Sequence, residues 1–141
     1  MDKDLFGYRI NQDVYVDIEN KTLVNVSKVT SVHLCHNVKL RDTMFRLFVF
    51  LLEKADGGII GYSEILTNVW DMYGLSSSNQ RLWQVMHALK DKLRSAGLPD
   101  DFIMRIESKG YYVRKDMITV LYTKKRNTSN RDVNNGIYNL R

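Results

Sequence analysis

The stretch Ser78-Asn79-Gln80-Arg81-Leu82-Trp83-Gln84-Val85-Met86-His87-Ala88-Leu89-Lys90-Asp91-Lys92-Leu93 decides the fold. Leu82, Val85, Met86, Leu89 and Leu93 recur at i, i+3, i+4, i+7 and i+11, a narrow apolar stripe on an α-helix. At about 100° per residue the opposite side carries Gln80, Gln84, His87, Ala88 and Asp91, with Arg81 and Trp83 on the flanks. Ser78 or Asn79 can cap this helix, because a short side-chain oxygen accepts from the free amides of a first turn. Gly97 and Pro99 end it.

Two shorter helices precede it. Met44, Phe45, Phe48, Leu51 and Leu52 lie at helical spacing behind Asp42 or Thr43, either of which can serve as N-cap. That helix stops near Ala55-Asp56, where Gly57-Gly58 supplies left-handed geometry at little cost. Ile59-Ile60 reads as a short β link. The next helix starts between Gly61 and Ser63 and puts Ile65, Leu66, Val69 and Trp70 on one side. Residues 71–78, with Gly74 and three serines, read as a turn or loop.

Strands flank the helices. Residues 5–10, 14–18, 22–26, 32–34 and 38–40 are short apolar runs, parted by turn formers such as Asn11-Gln12-Asp13 and Glu19-Asn20-Lys21. They predict a small antiparallel sheet made of hairpins, with one face to be covered. Downstream, residues 102–106 and 111–113 form a hairpin around the tip Glu107-Ser108-Lys109-Gly110. Residues 117–122 can add a strand, and the polar run from Thr123 predicts a flexible tail.

The fold class is therefore α+β: an N-terminal antiparallel sheet, three helices and a C-terminal β-hairpin. This is the element order of a winged helix-turn-helix, with the second and third helices as the helix-turn-helix and the hairpin as the wing. Residues 1–113 are expected to form that domain. Residues 114–141 are expected to be an extra strand and a flexible basic tail or linker.

Composition bounds what such a chain does. It has 141 residues, the size of one domain, and 44% apolar residues, enough for a core. One cysteine excludes a disulfide framework and a four-cysteine zinc site. No apolar run approaches the roughly 20 residues of a membrane helix, and the N-terminus has no signal-peptide core. A cytoplasmic chain is expected. The net charge is +5, but residues 114–141 hold seven Lys/Arg against two Asp/Glu, which is the whole excess. Basicity alone is thus weak evidence for a nucleic-acid partner.

The helix pattern says more. A major groove about 12 Å wide admits one helix, whose outward side must bond base edges. Gln80, Gln84 and His87 occupy that side here, with Arg81 beside them. Glutamine pairs with adenine through two hydrogen bonds, and arginine prefers guanine or a phosphate. Trp83, on the flank, suits core packing as well as a DNA or protein contact. Lys109 at the hairpin tip can reach a phosphate or the adjacent minor groove.

The order and spacing of several short motifs resemble the OmpR/PhoB-type winged-helix effector domain over roughly residues 5–113. Val38-Lys39-Leu40 followed by Thr43, Phe45, Arg46 and Leu47 looks like that family's approach to its first helix. Gly58-Ile59-Ile60, Ile65-Leu66 and Val69-Trp70 resemble its second helix and closing tryptophan. Leu89, Lys90, Lys92 and Leu93 resemble the end of its recognition helix, and Ile106 with Lys109-Gly110-Tyr111 its wing. The resemblance implies transcription control through binding of double-stranded DNA on tandem or inverted half-sites, homodimer formation and contact with RNA polymerase. It brings Lys90 and Tyr111 into the expected DNA-binding set beside Gln80, Arg81, Trp83, Gln84, His87 and Lys109.

Without a receiver domain in front, the chain looks closer to the ToxR/CadC-like one-component branch. There a cytoplasmic DNA-binding domain is often followed by a membrane anchor in the longer parent protein, and the polar tail would fit a juxtamembrane linker. Two departures stand out. Gln80, Trp83, Val85, His87 and Ala88 replace the more basic residues many relatives carry, and Glu107 stands where response-regulator members often place a wing arginine.

Other chemistry is thinly represented. His33, Cys35 and His36 lack a fourth ligand for a metal, and Cys35 reads as a small buried apolar residue. Ser76-Ser77-Ser78 has no His/Asp framework around it, and Asp100-Asp101 suits a turn after Pro99. No catalytic residue, metal or cofactor is expected. The competing reading is a winged-helix module that binds a regulatory protein instead of DNA.

Overall fold

The computed structural model describes residues 3–27, 36–124 and 137–138. Four strands open the chain: β1 (Lys3–Ile10), β2 (Val14–Asp17), β3 (Thr22–Asn25) and β4 (Asn37–Lys39). The helices are α1 (Asp42–Lys54), α2 (Tyr62–Val69) and α3 (Asn79–Ser95), with β5 (Ile59–Gly61) between the first two. Then come β6 (Ile103–Ile106), β7 (Gly110–Val113), β8 (Ile118–Lys124) and the short β9 (Ile137–Tyr138). The architecture is the α+β winged helix that the sequence pattern predicts.

Two antiparallel sheets clasp the helices. The first runs β4-β3-β2-β1-β8-β9. Val14, Val16 and Leu23 alternate inward from it, as half-buried strands require. The strand after the wing belongs to this sheet: β8 lies beside β1, with Ile10 opposite Ile118 and Gly7 opposite Leu121. The second sheet, β5-β7-β6, joins the start of α2 to the wing. Gly110 faces both Gly61 and Ile106 there. A Cβ on Gly110 would run into the Ile60 carbonyl oxygen, so only glycine lets β5 and β7 approach this closely.

The expected strand over residues 32–34, the burial of Cys35 and most of the tail fall outside the described residues. Within the tail, Ile137–Tyr138 pairs with β8.

One core serves all layers. Leu82, Met86, Leu89 and Leu93 of α3 are buried in the same cluster as Phe48, Leu52 and Trp70. Ser78 is the cap of α3, its Oγ accepting from the Arg81 amide at 3.0 Å. At the other end Gly97 takes a left-handed φ of 98°. Leu98 N donates to Leu93 O and Gly97 N to Arg94 O, each at 3.0 Å. This pair of bonds closes a helix in a Schellman motif, with Leu98 and Leu93 both buried beneath it.

The first helix corrects the expected cap. Arg41, in an extended conformation, occupies the N-cap without a side-chain bond, and Asp42 is already helical. The Asp42 carboxylate is turned to Lys21 Nζ at 2.9 Å, which holds its pKa below the usual carboxylate value. Lys21, in the β2–β3 turn, thus takes the oxygen that would have served the helix amides.

A buried polar side chain crosses the layers. Asn25 on β3 donates from Nδ2 to the Ala96 carbonyl at 2.7 Å and accepts at Oδ1 from the Ser27 amide at 2.7 Å. It ties the first sheet to the C-terminal end of α3.

Leu89→Ala is expected to cost about 2–5 kcal/mol in urea unfolding, because it empties a fully buried site. Asn25→Leu should cost about 1–3 kcal/mol by leaving the Ala96 carbonyl buried and unpaired. A variant of either kind that unfolds at the parent's midpoint would place α3 differently against the core.

Candidate nucleic-acid interface

The rotation of α3 follows from its apolar stripe. With Leu82, Met86, Leu89 and Leu93 inside, Gln80, Trp83, Gln84 and His87 stand outside at i, i+3, i+4 and i+7, and all four are exposed. They form a second stripe, parallel to the buried one and themselves without formal charge, which Asp91, paired with Arg94, continues at i+4 from His87. Trp83 is 54% exposed, which decides its role against core packing. Its indole stacks on the His87 ring, with centroids 5.4 Å apart and planes 15° from parallel.

Cations border this stripe. On one side a groove runs between α3 and the start of α1, lined by Arg81, Gln84 and Val85, by Arg41, Asp42 and Thr43, and by Leu75 from the segment between α2 and α3. On the other, a groove between the first turn of α3 and the wing is lined by Asn79, Trp83, Arg105, Glu107 and Ser108. Lys109 is exposed at the wing tip, where Ser108 takes a left-handed φ of 66° and the Lys109 amide bonds the Ile106 carbonyl at 3.0 Å. Lys90 is half-buried, further along α3.

Other arginines are held by acids. Arg94 bonds Asp91 and Asp100 at 2.8 and 2.9 Å, and Arg114 bonds Asp101 and Asp116 at 3.1 and 3.4 Å. Asp100-Asp101 are thereby explained as a turn that carries ion pairs. No such pair engages Arg41, Arg81, Arg105 or Lys109 among the described residues.

Tyr111 departs from the expected set. It is 3% exposed and packs edge-on against Tyr62 at 5.7 Å. Burial, foremost, raises its hydroxyl pKa. The register explains this: Tyr111 lies opposite Ile60 on one side and Arg105 on the other, on the face of β7 that meets the core. Tyr111 supports the wing from beneath and offers little surface to a ligand.

Two further cations, not singled out from the sequence, line these grooves. Arg105 shares the inward face of β6 with Ile103, but it lies at the wing end, where the core gives way to the groove beside Trp83. Strand alternation carried that signal, as a charge on the inner side of the hairpin. Arg41 had no local signal, since only the packing of α1 beside α3 brings it near Arg81.

His33 and Cys35 lie outside the described residues, and the His36 ring nitrogen Nδ1 is 3.0 Å from the Asn25 carbonyl oxygen. Among the described residues no three His, Cys, Asp or Glu gather to hold a metal. No helix among them is long and apolar enough to cross a membrane.

The sequence matches no family model and no curated protein. Solved structures share the architecture. The DNA-binding domain of E. coli CadC superposes with a TM-score of 0.64 at 16% identity, covering 84% of this chain and 98% of that domain. The Klebsiella pneumoniae RstA DNA-binding domain, in complex with its RstA box, gives 0.56 at 18% identity over 77% and 97%. The DNA-binding domain of the response regulator AdeR, in complex with an intercistronic region, gives 0.56 at 10% over 74% and 97%. The chain thus shares the winged-helix fold of these domains.

The two tryptophans offer a check on this surface. Trp70 is 1% exposed, against the half-exposed indole of Trp83. Iodide should quench only part of the fluorescence, and Trp83→Phe should remove that part. Equal quenching of both indoles would mean that α3 is turned otherwise.

Proposed function

We propose that this chain is a sequence-specific DNA-binding transcriptional regulator that lays α3 in the major groove and the wing on the backbone or the minor groove. The observation that carries the reading is the uncharged outward stripe of α3, set between cations that no acid engages among the described residues, on a winged-helix frame. Phosphate contacts position a protein, and base contacts specify the sequence. Arg81, Arg41, Arg105 and Lys109 suit the first task. Gln80, Gln84, Trp83 and His87 suit the second, and Lys90 adds a cation further along the helix.

The DNA complexes of RstA and AdeR support the reading through the shared fold alone. Binding as a homodimer or on tandem half-sites, and a cytoplasmic setting, belong to the same proposal. So does contact with RNA polymerase: the segment between α2 and α3 exposes Met72, Tyr73 and Leu75, and the Arg46 guanidinium lies 3.8 Å from the centre of the Tyr73 ring. An exposed apolar cluster of this kind marks a protein contact. It is also the observation that favours the second reading, a winged-helix module for a regulatory protein.

A fluorescence-anisotropy titration of duplex DNA at several salt concentrations tests the proposal. Gln84→Ala should lose about 1–3 kcal/mol of discrimination at one base position. Arg81→Ala should weaken binding evenly across sequences and reduce the salt slope by about 1. Folded variants with the parent's affinity and footprint would favour the protein-binding module.

The charge beyond the wing gives a separate expectation. Replacing Lys124, Lys125 and Arg126 by glutamine should flatten the log–log salt slope by about 0.9 for every phosphate no longer neutralised, with the preferred sequence unchanged. An identical slope would assign those residues no part in binding.

A further inference from the structure

The outward stripe of α3 restricts which base pairs it can read. Gln80, Trp83, Gln84 and His87 carry no formal charge, and Asp91, next on the outward side, is paired with Arg94 at 2.8 Å. Guanine is read best by arginine or lysine at O6 and N7, and cytosine by a carboxylate at N4. Those four side chains offer neither, and the Asp91 carboxylate is already taken by Arg94. Adenine is read by a carboxamide at N6 and N7, and thymine by apolar contact with its C5 methyl group. The stripe offers both: two carboxamides and one large apolar surface.

Trp83 is the unusual member. Its indole is half-exposed, whereas Trp70 is buried in the core. The stack on His87 restrains the ring, so little side-chain freedom remains to be lost when it meets a partner. Gln80 lies three residues before it, and Gln84, one after, stands about 100° around the helix on the side toward α1. At 1.5 Å per residue the stripe is about 10 Å long, roughly three base pairs of duplex.

Resting on the proposed DNA-binding function, we infer that this stripe selects A·T pairs, with Trp83 reading a thymine through its C5 methyl group and Gln80 or Gln84 taking a neighbouring adenine. The cations at the rim leave that choice untouched, because phosphates carry no base identity. Arg81 lies on the flank toward α1, in the groove that Arg41 also lines, where the proposed function gives it a phosphate.

The test removes single methyl groups. A duplex is enriched from a randomised pool with the full chain, and each thymine is replaced in turn by uracil, which differs only in lacking that methyl. At one or two positions uracil should weaken parent binding about fourfold, the worth of one buried methyl-sized group. Trp83→Ala should bind thymine and uracil duplexes alike at those positions, and Trp83→Phe should restore the difference. Circular dichroism of both variants checks the fold. If uracil is neutral at every position, or Trp83→Ala keeps the thymine preference, the thymine reading is overturned while DNA binding stands. If no duplex is enriched above the pool, DNA binding itself fails and the inference falls with it.

Discussion

Burial of Leu82, Met86, Leu89 and Leu93 fixes the rotation of α3, and everything that the helix can present follows from that constraint. A helix has one angular degree of freedom about its axis once its ends are held. Four large side chains buried beside Phe48, Leu52 and Trp70 leave no second solution, since a turn of about 100° either way would bring Trp83 or Arg81 inside and put Leu82 in water. Each such exchange exposes apolar surface and buries a polar group, costs of the same sign. The outward stripe is thus as firmly specified as the core, although its own residues contribute little to stability.

Both ends of α3 are held as well. Ser78 caps the first turn, and the Schellman closure at Gly97 stops the helix where Ala96 can offer its carbonyl to Asn25. That bond spans 71 residues of sequence and connects the first sheet to the outward-reading helix. The sheet in turn is closed by β8, so the chain returns after the wing to the strand with which it began. The sheet is a brace more than a platform: it sets the depth of α3 in the core, while β5 and β7 set the wing. The near approach of Gly110 to the Ile60 backbone fixes the distance from wing to α2.

How much of this is legible in the sequence depends on the range of the interaction. The α3 stripe has a period that a reader can count, and so has the alternation of Val14 and Val16. The wing announces itself through a turn between two short apolar runs. Pairings that depend on distant strands give no such sign: residues 117–122 read as a strand, but nothing local assigns it to β1. The cap of α1 is hidden for the same reason, because Lys21 claims Asp42 from another turn. Trp83 is ambiguous at the edge of the stripe, since periodicity gives an angle and packing decides the boundary. Tyr111 reads from sequence as core or hairpin packing, which its burial matches, and only the wing motif draws it toward DNA. Arg41 and Arg105 require the assembled grooves.

The distribution of charge bears on how such a surface would work. Arg94 and Arg114 are each held by two aspartates, in exposed pairs that add little stability but remove two cations from any phosphate. Around α3 there remain Arg81, Arg41, Arg105 and Lys109 at the rim and Lys90 and Lys92 along the helix, with Asp42 and Glu107 opposing them. A rim of that size supplies a modest salt-dependent attraction, because each neutralised phosphate releases about one counterion. Weak general attraction with a neutral reading stripe raises the share of binding that depends on bases. It also makes a single half-site a poor target, so that affinity would have to come from a second copy on an adjacent half-site or from the basic residues beyond the wing. A linked or adjacent second copy converts the next binding step into a local one, and this gain vanishes when spacing forbids simultaneous engagement. In the proposed complex, spacing between half-sites would therefore govern occupancy as strongly as the bases themselves.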